Sequence, residues 1–294
     1  MKRFDWPEIK RYWEAHGKRW GTIDYSRDPD GLGNVCCASE PLWLNRNHAR
    51  LQRMAYRKLF SLIPAASPGA RALDIGCGAG RWCRFLADHG YRVTRIDLQP
   101  ELIWTNRLRY PAMEFQCIPI QECAPREPFD LVSSVTVIQH VPFDEQGVVV
   151  QKIRALLKKD GRAPILENIS DQGPHVFSNT LREWRGKFER HGFCLVAVHR
   201  YDYSPLGRLY RLATRRLASM LRGSPLREDR LTPEMLVASS AQNASVKPLQ
   251  HSLRVIDGVV RGLLASIDTL IELLLSLFSI SFPSIHCGFL FRAI

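Results

Sequence analysis

The chain has 294 residues, of which 45% are hydrophobic and 24% are charged. This balance is that of a globular protein and argues against an intrinsically disordered chain. The formal net charge is +12, but the basic residues are spread along the sequence. This spread favours a solvated surface over a nucleic-acid interface.

The cysteines and the first residues bear on metal binding and location. The eight cysteines form no CxxC pair and no pattern with zinc spacing, so the sequence predicts no metal site. The opening MKRFDWPEIK lacks the apolar stretch of a signal peptide. Reduced thiols in a cytoplasmic protein are therefore expected.

Residues 1–66 are predicted to form a helical, aromatic-rich segment. Apolar positions recur at helical spacing over residues 45–62. We interpret the segment as a lid over a ligand, with Tyr12, Trp13 and Trp20 as its main aromatic contacts. The alternative is that these rings simply fill a core.

From residue 67 onward the sequence predicts a second domain that extends to residue 294. Strand, loop and helix alternate in it, which indicates βαβ units and a parallel sheet. Predicted strands cover residues 71–75, 91–98, 114–118, 129–138, 162–169 and 194–201, and predicted helices cover 81–90, 100–110, 144–161 and 181–193. Residues 205–283 are interpreted as a helical insertion before a final strand at 284–294.

The apolar stretch 257–280 is long enough to resemble a membrane span. However, Asp257, Arg261, Asp268 and Glu272 recur at intervals of four or seven residues, one or two helical turns, and form a narrow polar stripe. Two carboxylates at the centre of a span would be costly. We therefore expect a helix that packs its wide apolar face on the protein's own core. Peripheral membrane contact, a dimer interface and a true span are the alternatives.

A glycine-rich turn, LDIGCGAG, lies between the first predicted strand and its helix. Glycines allow a ligand to approach the main chain, and the helix start offers free N–H groups. Arg81 stands where a dinucleotide fingerprint has its third glycine. Asp97 ends the second strand, where an acid can accept hydrogen bonds from ribose hydroxyls. A nucleoside cofactor is predicted over a purely structural turn.

The segments LDIGCGAGRW, RIDL and FDLVSSVTVIQHV resemble the class I S-adenosylmethionine-dependent methyltransferases over residues 70–204. The resemblance implies an α/β, Rossmann-like seven-stranded sheet whose last strand is antiparallel. It also implies S-adenosyl-L-methionine as the cofactor, without a metal. Its cofactor-binding residues would be Asp74, Gly76, Cys77, Gly78 and Gly80 around the methionine, Asp97 on the ribose, Leu98 against the adenine, and Val135.

One position departs from the family pattern. Many relatives carry an acidic residue after the third strand that binds the adenine amino group, and here Pro119 occupies that place. The adenine is therefore expected against Ile120 and Gln121.

Catalytic candidates follow from the edge of the sheet where its parallel strands end. His140 follows the fourth strand, where a histidine with an ordinary pKa suits general-base work near neutrality. Its alternative role is to cap or pack the turn. Glu167 ends the fifth strand, where a catalytic or substrate-binding role is expected.

The sequence predicts a methyltransferase that acts on a small-molecule or lipid- or sugar-linked acceptor, because a lid and an insertion would enclose the substrate. Nucleic-acid methylation is an alternative suggested by the net charge of +12, but a (D/N)PP(Y/F)-like motif is missing after the fourth strand. A second alternative is a non-catalytic protein that keeps the cofactor fold. The sequence specifies neither the acceptor atom nor the oligomeric state.

Overall fold

A computed structural model describes most of the chain. The described residues are 3–17, 23–32, 42–170, 173–203, 205–207, 209–210, 248–277 and 284–294. The expected insertion over residues 211–247 and the lid residue Trp20 lie outside these ranges. So do residues 278–283, which include the end of the long apolar stretch.

Seven strands form one sheet at the centre of the molecule. They are β1 (Arg71–Ile75), β2 (Arg92–Asp97), β3 (Phe115–Cys117), β4 (Phe129–Val135), β5 (Leu157–Asn168), β6 (Phe193–Tyr201) and β7 (His286–Ala293). Their order is β3-β2-β1-β4-β5-β7-β6. The pairs among β1 to β5 are parallel, and β7 runs antiparallel to β5 and β6. The predicted Rossmann-like α/β fold with an antiparallel last strand is confirmed.

Helices cover both faces of this sheet. They are α1 (Trp6–Gly17), α2 (Leu42–Phe60), α3 (Arg81–Asp88), α4 (Pro100–Arg109), α5 (Gln146–Leu156), α6 (Leu181–Glu189) and α7 (Pro248–Leu277). Short 3₁₀ turns lie at Ile120–Glu122 and Ile138–His140. The largest buried cluster contains Phe129, Trp184 and Phe289, so the main core lies under α5 and α6. Burial of this apolar area is the dominant stabilising term.

The predicted helix over residues 144–161 is too long. α5 ends at Leu156, and β5 begins at the next residue. Leu157 pairs with Phe129 of β4, so tertiary pairing takes the last residues of the helical pattern into the sheet. The fifth strand is therefore longer than the predicted 162–169.

α2 belongs to the packing of the sheet itself. Tyr56 and Leu59 are buried against Leu166 of β5 and Leu290 of β7. The Tyr56 hydroxyl donates a hydrogen bond to Ser133 Oγ at 3.0 Å, which satisfies a buried polar pair. α2 is therefore part of the core, and among the described residues of the N-terminal segment the predicted lid role rests on α1.

α7 packs in the opposite orientation to the expected one. Asp268 and Glu272 are buried, while Leu263 and Leu270 are 62% and 58% exposed. Asp268 accepts hydrogen bonds from the N–H groups of Leu206 and Gly207 at 3.0 and 2.9 Å. The carboxylates face the protein because they satisfy loop amides, so the expectation of an apolar face on the core is wrong. Among the described residues, no helix has the length and apolar content that crossing a bilayer requires.

The orientation of α7 predicts that replacing a buried acidic residue costs more stability than replacing an exposed leucine. Asp268→Leu should lower the free energy of unfolding by about 1–3 kcal/mol, because two loop N–H groups lose their acceptor. Leu270→Gln should change it by less than about 0.5 kcal/mol, because that side chain is exposed. Urea unfolding of both variants measures this, and a larger loss in Leu270→Gln would contradict the orientation.

Candidate functional site

The loops after β1 and β4 meet where the strand order of the sheet reverses, which is the usual ligand crevice of an open α/β sheet. Gly76 has a φ of +61° in this crevice. A Cβ on Gly76 would lie 2.5 Å from Val137 Cγ2. Glycine is therefore required here both for the backbone conformation and for the close approach of the two loops.

Asp97 holds the glycine-rich turn after β1. Its Oδ2 accepts a hydrogen bond from Gly78 N–H at 3.0 Å, and its Oδ1 accepts one from Gln99 N–H at 3.1 Å. Burial raises the pKa of Asp97, and the backbone donors oppose that rise. Each carboxylate oxygen can accept one more hydrogen bond. The geometry thus fits a carboxylate that binds two neighbouring hydroxyls.

Asn106 is a contributor to this turn that the sequence analysis missed. It lies in α4, is fully buried, and donates a hydrogen bond from Nδ2 to the Gly78 carbonyl at 2.6 Å. Buried polar side chains are normally retained for such a bond. An asparagine among the inward-facing positions of a helix was the available signal.

Asp74 lies in β1, beneath the turn. It is buried and accepts a hydrogen bond from the Cys83 thiol at 3.0 Å. Burial raises the pKa of Asp74 to about 7, against the effect of this bond. Cys77 N–H bonds the Ile96 carbonyl at 3.0 Å, and Gly80, with a φ of +78°, precedes α3. Asp74, Cys77 and Gly80 thus lie beneath and along the glycine-rich turn.

The remaining predicted cofactor contacts lie along the same edge of the sheet. Leu98 follows β2 and is 53% exposed, so its side chain offers an apolar surface beside Asp97. Ile120 and Gln121 lie in the 3₁₀ turn after β3, the first buried and the second exposed. Val135 is the buried last residue of β4.

Glu167 is buried and bonded to the main chain of the turn after β4. Its carboxylate accepts hydrogen bonds from the N–H groups of Ile138 and Gln139, both at 3.0 Å, and a longer one from Val137 at 3.4 Å. Burial raises the pKa of Glu167 to about 8, although the backbone donors lower it. These contacts make it an anchor of the turn. A catalytic role for Glu167 stays a prediction.

The backbone at Thr136 is strained. Thr136 has a φ of +58°, a conformation that β-branched residues rarely adopt. Its N–H donates to the Leu166 carbonyl at 2.7 Å, which links the end of β4 to β5. Such strain is retained mainly at functional sites, and here it directs the chain toward His140.

His140 is oriented by a hydrogen bond to the main chain. Its Nδ1 donates to the His175 carbonyl at 3.0 Å, so Nε2 carries the lone pair. Burial lowers the pKa of His140 to about 4, although this bond raises it. The expectation of an ordinary pKa is therefore wrong, and the imidazole is neutral near pH 7. Nε2 lies 3.3 Å from the Gln139 amide nitrogen.

α1 covers this part of the crevice with aromatic rings. Trp13 meets the His140 ring edge-on at 4.8 Å between centroids, and Tyr12 stacks on His175 at 4.4 Å. About one turn further along α1, a Cβ on Gly17 would lie 3.2 Å from Glu101 Oε2 in α4. The C-terminal half of α1 therefore lies between the histidines and α4, and its role as a lid stays a prediction.

The ring of His175, in the loop after β5, lies next to that of His140. The two rings are parallel, with centroids 5.5 Å apart. Burial lowers the pKa of His175 to about 3. Its Nδ1 is buried without a hydrogen-bond partner among the described residues, so a polar group on a ligand could satisfy it.

Comparisons with known proteins agree with this geometry. Residues 72–161 match a methyltransferase domain family. The chain is 36% identical over 97 residues to the ubiquinone biosynthesis O-methyltransferase of Bradyrhizobium diazoefficiens, covering 32% of this chain and 38% of that protein. It is 33% identical over 121 residues to that of Xanthomonas campestris pv. campestris, covering 39% and 47%. The chain thus spans less than half the length of these relatives.

A solved structure supports the fold beyond the matched domain. The [4+2]-cyclase SpnF superposes with a TM-score of 0.50 at 16% identity, covering 82% of both chains. At this identity the likeness bears on the fold alone. Residues 72–161 therefore carry a methyltransferase domain, and the cofactor of such domains is S-adenosylmethionine.

Proposed function

We propose that the protein transfers a methyl group from S-adenosylmethionine to a hydroxyl oxygen of an aromatic small molecule. One observation carries the proposal. A glycine-rich turn bound to Asp97 and a neutral His140 lie on the same edge of the sheet under the aromatic rings of α1. The names of the O-methyltransferase relatives support an oxygen acceptor.

The residues of the turn suit the proposed cofactor. Asp97 would accept hydrogen bonds from both ribose hydroxyls, and Leu98 would lie against the adenine with Ile120 and Gln121. The methionine part would be held by the turn and its surroundings, namely Asp74, Gly76, Cys77, Gly78, Gly80 and Val135. When bound, the cofactor supplies the electrophilic methyl carbon, so the protein has only to align the acceptor and receive its proton.

His140 would receive that proton. Because its Nδ1 donates to the His175 carbonyl, Nε2 is the basic atom, and it stays unprotonated at neutral pH. A neutral imidazole within hydrogen-bond reach of an acceptor hydroxyl can take its proton as a general base, and a pKa of about 4 makes His140 a weak one that an acidic hydroxyl such as a phenol would suit. In the structure the Gln139 amide donates a hydrogen bond to this Nε2 at 3.3 Å, so an acceptor hydroxyl would replace that donor.

The aromatic lining favours an aromatic acceptor. Tyr12 and Trp13 on α1 bring ring faces and edges to the two histidines, and ring pairs of this kind are attractive beyond their buried area. The buried Nδ1 of His175 offers a further polar contact to a hydroxylated ring. α1 would also exclude water from the reacting atoms.

Several finer predictions stay open to test. An acceptor linked to a lipid or sugar would still need a hydroxyl beside His140. Peripheral membrane contact through 257–280 is supported by the exposed Leu263 and Leu270 of α7. Cytoplasmic location and the expectation that nucleic acid is not a partner stay predictions. A non-catalytic protein with this fold would bind the nucleoside but methylate nothing.

Replacing Asp97 with Ala should weaken binding of S-adenosylhomocysteine by about 1–3 kcal/mol, which is roughly 5- to 150-fold. The reason is the loss of charged hydrogen bonds to the ribose and of the Gly78 anchor. Isothermal titration calorimetry measures this. Asp88→Ala, an exposed acidic residue at the end of α3, is the control and should bind as the wild type does. Unchanged affinity in Asp97→Ala would remove that residue from the site.

Replacing His140 with Asn should lower kcat about 100-fold or more, because the proton acceptor is lost. Affinity for S-adenosylhomocysteine should stay nearly unchanged. The assay is transfer of a radiolabelled methyl group to a panel of phenols and catechols, with His191→Asn as the control. Full turnover in His140→Asn would return His140 to a structural role.

The pH profile gives a separate check on His140. Since burial lowers the pKa of His140 to about 4, its base form persists as the pH falls from 8 to 6. The wild-type kcat should therefore show no protonation limb from this residue in that range. A limb with an apparent pKa near 6.5 that disappears in His140→Asn would contradict the buried environment.

A further inference from the structure

Three metal-binding side chains meet away from the glycine-rich turn. His48 comes from α2, Asp202 directly follows β6, and His286 begins β7. One potential ligand atom from each lies within 4.8 Å of the other two. Nδ1 of His48 and Nδ1 of His286 lie 3.4 and 3.1 Å from the same oxygen, Asp202 Oδ2.

In this structure the two Nδ1–H groups donate hydrogen bonds to Asp202, and the same separations match those between ligands of one small ion, which would replace the two protons. Bonds of about 2.0–2.2 Å from zinc to nitrogen and oxygen imply about 3.3 Å between neighbouring ligands of a tetrahedral ion. Two imidazoles and a carboxylate are a donor set that binds Zn²⁺ and leaves a fourth position to water or substrate. We propose that His48, Asp202 and His286 bind one divalent transition-metal ion of the zinc class.

The surroundings hold Asp202 in place. Asp202 has a φ of +59°, which a non-glycine residue rarely adopts. Glu272 of α7 accepts hydrogen bonds from the N–H groups of Asp202 and Tyr203 at 2.8 and 3.2 Å. This contact fixes the strained backbone and so presets the carboxylate. Groups in this supporting position tune metal affinity in known sites.

The cluster is also accessible and oriented. The side chains of His48, Asp202 and His286 are 24%, 13% and 8% exposed, so an ion can reach them from solvent. The ring of His286 stacks on Tyr201 with centroids 5.3 Å apart, which limits its rotation. A partly shielded, oriented trio differs from the mobile ion pairs of a protein surface.

The site has a defined place relative to the proposed reaction. His286 pairs with Asn168 at the end of β5, so the trio lies on the same edge of the sheet as His140 and the glycine-rich turn. A bound ion would join α2 to the β6–β7 end of the sheet. The sequence analysis predicted no metal because the three ligands are far apart in the chain and show no zinc spacing.

The test uses the full chain, stripped with EDTA, and Co²⁺ or Zn²⁺ alone. The wild type should bind one equivalent of Co²⁺ with visible bands of tetrahedral coordination by nitrogen and oxygen, and Zn²⁺ should displace it. His48→Asn and Asp202→Asn should each weaken Zn²⁺ binding by at least about tenfold. His89→Asn, which removes an exposed imidazole outside the trio, should leave the affinity unchanged.

The spectrum and the variants distinguish an ion held by the trio from one held by a thiol. A thiolate charge-transfer band in the Co²⁺ spectrum would assign the ion to a cysteine and overturn the proposal. Equal Zn²⁺ affinity in the wild type and His48→Asn would overturn it as well. Circular dichroism checks the fold of each variant, and if Asp202→Asn unfolds, His48→Asn decides. Because no nucleoside is present, the outcome is independent of the proposed methyl transfer.

Discussion

A buried carboxylate at the end of β5 determines the form of the crevice. Glu167 accepts hydrogen bonds from three N–H groups of the turn after β4. These bonds fix the direction in which the chain leaves the sheet. In that turn Val137 packs closely on Gly76, and His140 forms a hydrogen bond with the His175 carbonyl. An unpaired buried carboxylate would be strongly unfavourable, so the convergence of these donors is a condition of its burial. Glu167 thus fixes the β4 side of the crevice, whereas Asp97 and Asn106 hold the glycine-rich turn on the other side.

Local sequence signals predicted the first half of the domain well. β1 has the predicted bounds, because a short apolar run followed directly by glycines leaves little choice of structure. Asp97 was identified because it ends a strand and follows the glycine-rich turn at the expected distance. The contact between Asp97 and Gly78 joins these two signals physically. The antiparallel last strand came from family resemblance, since periodicity carries no information on strand direction.

Predictions failed where distant parts of the chain decide the structure. Helical spacing continues past Leu156, yet pairing with Phe129 places the next residue in the sheet. The periodicity of α7 correctly separated its two faces but could not say which one turns inward. The carboxylates are buried because loop amides near residues 202–207 need acceptors. The lowered pKa of His140 likewise arises from burial under α1 and the loop of His175, which the sequence does not reveal.

The position of α1 has a consequence for the order of ligand exchange. The C-terminal half of this helix contacts the histidine pair through Tyr12 and Trp13, and about one turn later it meets the first turn of α4 at Gly17. A rigid helix that contacts both the histidine pair and α4 cannot move away from one of them without disturbing its contact with the other. In the proposed reaction, a single displacement of α1 would therefore couple entry of the acceptor to departure of the spent nucleoside, and a half-open crevice would be disfavoured.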